Sequence, residues 1–260
     1  MLNDYESFKK QVLSMTGIDL SAYKEKQMKR RIDALIAKYE AADYDSFVSL
    51  LKKDREVYET FVGYLTINVS EFYRNPDQWK YMDEVVIPEL IRKFGTNLKI
   101  WSAACSTGDE PYSLVMALSK HIPINQITIT ATDIDKQILA KAKVGIYGEK
   151  SVAGVPMDLR KKYFEKIGDA YKISDEIKNR VVFKQHNLLA DPYPKDYHMI
   201  VCRNVLIYFT EEAKDEVFQK FCYSLVPTGI LFIGNTEQII TYKEMGYERK
   251  SSFFYCKRGK

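Results

Sequence analysis

The stretch Ile100-Trp101-Ser102-Ala103-Ala104-Cys105-Ser106-Thr107-Gly108-Asp109-Glu110-Pro111 decides the fold. Together with Leu98 and Lys99, its apolar beginning reads as a buried strand. Its middle is a run of small residues closed by one glycine, suited to a tight loop that lets backbone approach a ligand. Its end reads as a helix start, with Asp109 as the cap and Pro111 in the first turn. Downstream the alternation repeats. Strands are predicted at 127–132, 181–183, 199–202, 229–234 and 253–256, with helices over 110–120, 136–143 and 211–225. Such alternation implies an α/β fold built on a mainly parallel sheet covered on both faces. It lapses between Gly145 and Asn179. There Lys172-Ile173-Ser174 and the Gly168-Asp169 turn suggest a small antiparallel β insertion, at about 160–180.

Upstream the texture differs. Tyr5, Phe8, Val12 and Met15 recur at helical spacing, as do Met28, Ile32, Leu35 and Ile36, then Phe47, Val48 and Leu51, then Val57, Phe61 and Leu65. Four short helices follow, broken near Gly17-Ile18-Asp19, Ala42-Asp43 and Lys53-Asp54. A linking helix over 79–94, bent at Pro88, joins the two textures. The predicted organisation is a helical domain (1–74), a linker (75–94) and an α/β domain (95–260).

Composition bounds the function. The 260 residues are 46% hydrophobic and 28% charged, which suits a globular protein with a sizeable core. No apolar run is long enough to cross a bilayer, and Met1-Leu2-Asn3-Asp4-Tyr5-Glu6 lacks a secretory pattern, so a cytoplasmic location is expected. Cys105, Cys202, Cys222 and Cys256 form no CxxC pair, and His121, His186 and His198 are scattered. Reduced, packed thiols are expected, with neither zinc site nor catalytic triad.

In an open parallel sheet, ligands bind beyond the carboxyl ends of the strands. The loop 103–111 holds a single glycine and two acids, where a dinucleotide fold needs G-x-G-x-x-G around a pyrophosphate. That disfavours NAD and FAD; a cofactor with a sulfonium, an ammonium and a ribose but no phosphate tolerates those acids. The second strand ends in Thr132-Asp133-Ile134-Asp135. Asp133 is placed either to accept hydrogen bonds from ribose hydroxyls or to cap the next helix, and the loop chemistry favours the ribose. Ser70 and Arg74 are spaced to share one helical face.

Four blocks in order resemble the chemotaxis receptor glutamate methyltransferases (CheR-type). They are Thr66-Ile67-Asn68-Val69-Ser70-Glu71-Phe72-Tyr73-Arg74-Asn75, the loop 100–112 with Ala131-Thr132-Asp133-Ile134-Asp135, His186-Asn187-Leu188-Leu189, and Cys202-Arg203-Asn204-Val205-Leu206-Ile207-Tyr208-Phe209. The resemblance spans essentially the whole chain. It implies an all-helical N-terminal domain before a class I (Rossmann-like) S-adenosylmethionine-dependent methyltransferase domain with a small antiparallel β insertion. It implies S-adenosylmethionine held by Asn68, Ser70, Arg74, Ala103, Glu110, Asp133, Asn187, Leu188, Arg203 and Asn204, with Arg74 and Tyr208 at the reaction centre. Read without it, Leu188 is equally a core residue, Arg203 an ion-pair partner and Tyr208 a packing residue.

The implied acceptor is a glutamate on a receptor's cytoplasmic helices. Lys24, Lys26, Lys29, Arg30 and Arg31, opposed within eight residues only by Glu25, make an acid-seeking docking helix for it. The short turn 166–171, with one glycine, does not suit tethering to a receptor's C-terminal peptide, and a monomer is expected. Asn204-Val205-Leu206-Ile207-Tyr208 departs from the Asn/Asp-Pro-Pro-Tyr motif of enzymes that methylate base amines. A nucleic-acid methyltransferase and a non-catalytic cofactor-binding adaptor are the alternatives.

Overall fold

The computed structural model describes residues 5–259; Met1–Asp4, part of the terminus judged above to lack a secretory pattern, lie outside them. Four helices open the chain: α1 (Tyr5–Thr16), α2 (Glu25–Lys38), α3 (Tyr44–Lys53) and α4 (Arg55–Thr66). Their breaks have local causes. Asp43 caps α3 in a capping box with Ser46, and Asp54 ends α3 while its carboxylate caps α4 through Glu56 N and Val57 N. Phe8, Phe47 and Phe61 meet in a core of their own.

Residues 67–75 are irregular, so Ser70 and Arg74 do not share a helical face. Ile67 takes φ 49° and stops α4, Tyr73 takes φ 52°, and Asn75 takes φ 62° ahead of Pro76. These left-handed positions cannot be part of a right-handed helix. The linker then runs as α5 (Pro76–Tyr81), a π turn (Met82–Val86) and α6 (Ile87–Phe94). The bend expected at Pro88 takes the form of that π turn, in which Ile87 N–H reaches Met82 O. A wide turn relieves the clash a proline makes with the preceding turn of an α-helix.

The α/β region follows as β1 (Ile100–Ala103), α7 (Asp109–Leu118), β2 (Ile129–Asp133), α8 (Lys136–Val144), β3 (Ile146–Gly148), the short turn α9 (Glu149–Val152), α10 (Met157–Tyr163), β4 (Phe164–Ile167), β5 (Ala170–Ile173), the turn α11 (Asp175–Lys178), β6 (Val181–Gln185), β7 (Tyr197–Cys202), α12 (Glu211–Ser224), β8 (Leu225–Ile233), β9 (Tyr247–Arg249) and β10 (Phe254–Lys257). Seven strands form one sheet in the order β6-β2-β1-β7-β8-β10-β9. The first five are parallel, and β10 inserts antiparallel between β8 and β9. Ile100, Trp101, Ser102 and Ala103 are all buried, as a strand covered on both faces requires. α5, α6 and α7 pack on one face, and α12 with Phe218 and Phe221 on the other. This is the class I methyltransferase arrangement, behind an all-helical N-terminal unit.

The second sheet is three-stranded and antiparallel, β3-β5-β4. Its strands fall between Ile146 and Ile173, so it begins earlier than the insertion placed at 160–180. Ile146-Tyr147-Gly148 is too short to show a period, and Tyr147 alone of the three is buried. The small strand β9 is likewise absent from the periodic pattern. Among the described residues, no helix is long and apolar enough to cross a membrane.

Candidate active site

Strand order reverses beside β1, with β2 on one side and β7 on the other, and a cleft opens beyond the carboxyl ends of these strands. The loop after β1 shapes its floor. Ala104 and Ser106 take φ 61° and 49°, a conformation costly for residues with a Cβ and held here by the surrounding structure. Gly108 takes φ 88°, and a Cβ there would lie 3.1 Å from both Ala142 and Tyr112. Cys105 N–H donates to Thr132 O at 2.8 Å, and Ser106 N–H to Asp133 Oδ2 at 2.8 Å, so the loop folds down onto the tip of β2.

One expectation about acids changes here, and one open alternative closes. Gly108, not Asp109, is the N-cap of α7; Asp109 is its first residue, buried, and accepts from the hydroxyls of Thr107 and Ser151. The cap of α8 is Asp135, which accepts from Gln137 N and Ile138 N. Asp133 is therefore free of the capping role and projects from the strand tip into the cleft wall.

The cleft holds the main cavity of the site, a partly open hollow between the sheet edge and the helical domain. Asn68, Asp133, Asn187, Leu188, Arg203, Asn204 and Tyr208 line it. Apolar side chains Leu65, Ile67 and Phe209 share the wall with Leu188. A smaller chamber adjoins it through shared Val69, Ala104 and Ser106, and brings together Ser70, Arg74, Glu110 and Arg203. Ala103 faces neither chamber; it is fully buried in the sheet core, and Ala104 takes the lining position.

Burial pushes the Asp133 carboxyl up to about 6 and that of Glu110 up to about 7. For Asp133, the N–H groups of Asp135 and Ser106 work against that rise; for Glu110, Arg203 and the Ser102 hydroxyl do, the latter donating at 2.8 Å. Arg203 is itself buried. Its Nη2 donates to Arg74 O, Asn75 Oδ1 and Gln78 Oε1 at 2.8 to 3.0 Å, while Nη1 stands 3.7 Å from Glu110 Oε2. Its plane lies 4.6 Å from the Phe232 ring. Arg203 thus ties the linker to the sheet as well as lining the cleft. By contrast, the Arg74 guanidinium makes no hydrogen bond or ion pair among the described residues, and neither does the Tyr208 phenol.

The helical domain forms the far wall. Asn187 Nδ2 donates to Gly17 O at 3.0 Å, Asn68 Nδ2 donates to Asp135 Oδ2 at 3.0 Å, and Lys24 N–H donates to Tyr208 O at 2.9 Å. Lys24, Lys26 and Arg30 are exposed on α2 beside that junction. Lys29 lies over the Tyr5 ring, and Arg31 is half-buried, donating to Tyr64 O at 2.7 Å. Ser106 and His186, whose imidazole burial holds below its ordinary range, lie inside the motif blocks without being singled out there, whereas Tyr23, whose ring meets Phe209 edge-on, lies outside every block. Only the contact across the domain boundary reveals Tyr23.

Residues 68–254 match the family described as CheR methyltransferase, SAM binding domain, and residues 3–66 match its all-alpha domain. This chain belongs to the CheR methyltransferase family. It is 41% identical over 254 residues to the chemotaxis protein methyltransferases of Listeria innocua and Listeria monocytogenes, covering 98% of this chain and 97% of each relative. Chemotaxis protein methyltransferase 2 of Vibrio cholerae is 32% identical over 98% of this chain and 89% of its own length.

CheR membership makes S-adenosylmethionine the cofactor, and the cleft suits it. Arg203 is the one Lys or Arg among the residues described on the main cavity's wall, and it is already committed to Gln78, Asn75 and Glu110. A phosphate would find little positive charge there, whereas Asp133 and Glu110 offer acceptors to hydroxyls and an ammonium.

Proposed function

We propose that this chain transfers the methyl group of S-adenosylmethionine to glutamate side chains of chemotaxis receptors, forming methyl esters in the cytoplasm. What supports the reading is the smaller chamber, which Arg74 and Glu110 both line and which shares Ala104 and Ser106 with the cofactor cavity; among the described residues the Arg74 guanidinium has no hydrogen-bond or ion-pair partner. A guanidinium left free in such a chamber has the fork geometry to receive an incoming carboxylate.

The bound cofactor supplies an electrophilic methyl on a sulfonium. In this reading Asp133 accepts hydrogen bonds from the ribose hydroxyls and Leu188 with Asn187 borders the base. Asn68, Ser70, Glu110, Arg203, Asn204 and the backbone around Ala103 hold the remainder. Tyr208 and Arg74 orient the acceptor. A glutamate with an ordinary pKa is ionised by roughly 500 to 1 at pH 7, so no general base has to remove a proton. A cation and an anion become two neutral groups, and an enclosed site favours that loss of charge. Alignment of oxygen, carbon and sulfur is then the principal contribution. Arg74 serves best by orienting the carboxylate, since a tight ion pair would stabilise the ground state.

The test mixes the protein, methyl-labelled cofactor and receptor-bearing membranes. Label released as methanol by mild base, and lost in Arg74→Ala, is the expected result. Label that resists base refutes an ester and would point to an amine acceptor.

A further inference from the structure

We propose that Glu237 is a positioning residue for the methyl-transfer site, holding the loop that carries Asn204 and Tyr208. It lies just beyond β8, deeply buried, and nothing in the motif blocks includes it. Its Oε2 accepts from Asn204 N–H at 3.0 Å and Gly234 N–H at 2.7 Å, and its Oε1 from Leu206 N–H at 2.9 Å. One carboxylate therefore clips the loop after β7 to the loop after β8, across the strand pair that borders the cleft.

The local backbone explains why a clip is needed. Asn204 takes φ 60°, a left-handed conformation that asparagine tolerates better than most residues and that turns the chain sharply after β7. The single helical turn Leu206–Tyr208 that follows has no side-chain cap from Val205. Glu237 supplies the missing acceptor from 31 residues away in sequence. Gly234 completes the device, because a Cβ there would stand 2.7 Å from Glu237 Oε2 and 2.8 Å from Asn204 N. Glu237 reaches neither chamber, so any effect on binding passes through the loop it holds.

The inference rests on the cofactor-site reading above but not on the identity of the acceptor, so the test uses S-adenosylhomocysteine and calorimetry. Glu237→Gln keeps the shape and weakens the charge-assisted bonds. It should weaken binding about tenfold while the protein stays folded. Glu89→Gln is the stability control: Glu89 pairs with Lys93 and Lys250 on the linker and lines neither chamber. It should lower the melting temperature and leave the affinity alone. Gly234→Ala should reproduce the affinity loss from the opposite side of the clip, and the double variant Glu237→Gln/Gly234→Ala should be no weaker than the worse single one. Wild-type affinity in folded Glu237→Gln overturns the proposal, as does an equal loss in Glu89→Gln. If Glu237→Gln does not fold, Gly234→Ala decides, and wild-type affinity there is equally fatal.

Discussion

Asp133 and Glu110 are carboxylates whose proton equilibria burial moves toward neutrality, to about 6 and about 7. Asp135 and Cys105 flank the first; Arg203, Glu237 and Cys105 flank the second. In the unfolded chain both titrate near 4. The folded protein keeps their protons longer than the unfolded chain does, so ligand-free stability falls as pH rises from about 4 to about 7. Ligand binding has the opposite dependence, because ribose hydroxyls and an ammonium donate to the ionised forms. Affinity for S-adenosylhomocysteine should thus rise between pH 5.5 and 8, and binding near pH 6.5 should release protons. Calorimetry in buffers of different ionisation enthalpy reads that release directly. Proton uptake would mean that neither carboxyl meets a donor of the ligand. Asp133→Asn should bind more weakly and lose part of the release.

Arg203 shows how a single side chain sets the place of an element. Its fork holds the carbonyl of Arg74 and the side chains of Asn75 and Gln78, which fixes where the irregular segment 67–75 enters α5. A lysine keeps the charge but cannot spread donors over three acceptors and Glu110. Arg203→Lys should cost roughly 3 kcal/mol of stability, by the general cost of breaking a buried charged network. It should also loosen Arg74, lowering kcat with receptor more than it raises KM for the cofactor; denaturant titration and steady-state kinetics separate the two. Legibility in the sequence divides along the same line. Helices α2 to α4 and strands β1, β2 and β7 announce themselves, because burial on a regular element leaves a period and Asp43 and Asp54 mark the caps. The segment 67–75 leaves none, since its path depends on left-handed Ile67 and Tyr73, neither a residue type that signals such a turn. For the site, most residues on the cleft wall fall within the motif blocks, Tyr23 and Leu65 lying outside them, and Ala104 rather than Ala103 lines the cleft. Tyr23 and Glu237 were invisible because their roles arise from contacts between elements distant in the chain.

At the scale of the whole molecule, the two units meet at the cleft itself. Lys24, the N-cap of α2, hydrogen-bonds to the Tyr208 turn, and Thr210 N–H returns a bond to Ala22 O at 2.9 Å. The exposed cations Lys24, Lys26 and Arg30 therefore begin beside the Tyr208 turn that lines the main cavity. Through residue 80 the chain carries 13 basic and 13 acidic residues, so this cluster is a local field and not a general one. A helix bearing several carboxylates would be drawn to it, with one glutamate left to enter beside Arg74. Exposed charges act over about 8 Å at physiological ionic strength, which makes the attraction strong in dilute salt and weak in concentrated salt. Lys26→Glu/Arg30→Glu should accordingly lower kcat/KM for receptor about tenfold at low salt, by steering and docking energy alone. The deficit should shrink as salt is added, and affinity for S-adenosylhomocysteine should not move, because neither residue lines the cavity. A deficit independent of salt would assign these residues to packing instead. Arg31, already bound to Tyr64 O and stacked on its ring, serves as the contrast: Arg31→Ala should lower stability at every salt concentration and leave the salt slope of kcat/KM as it is.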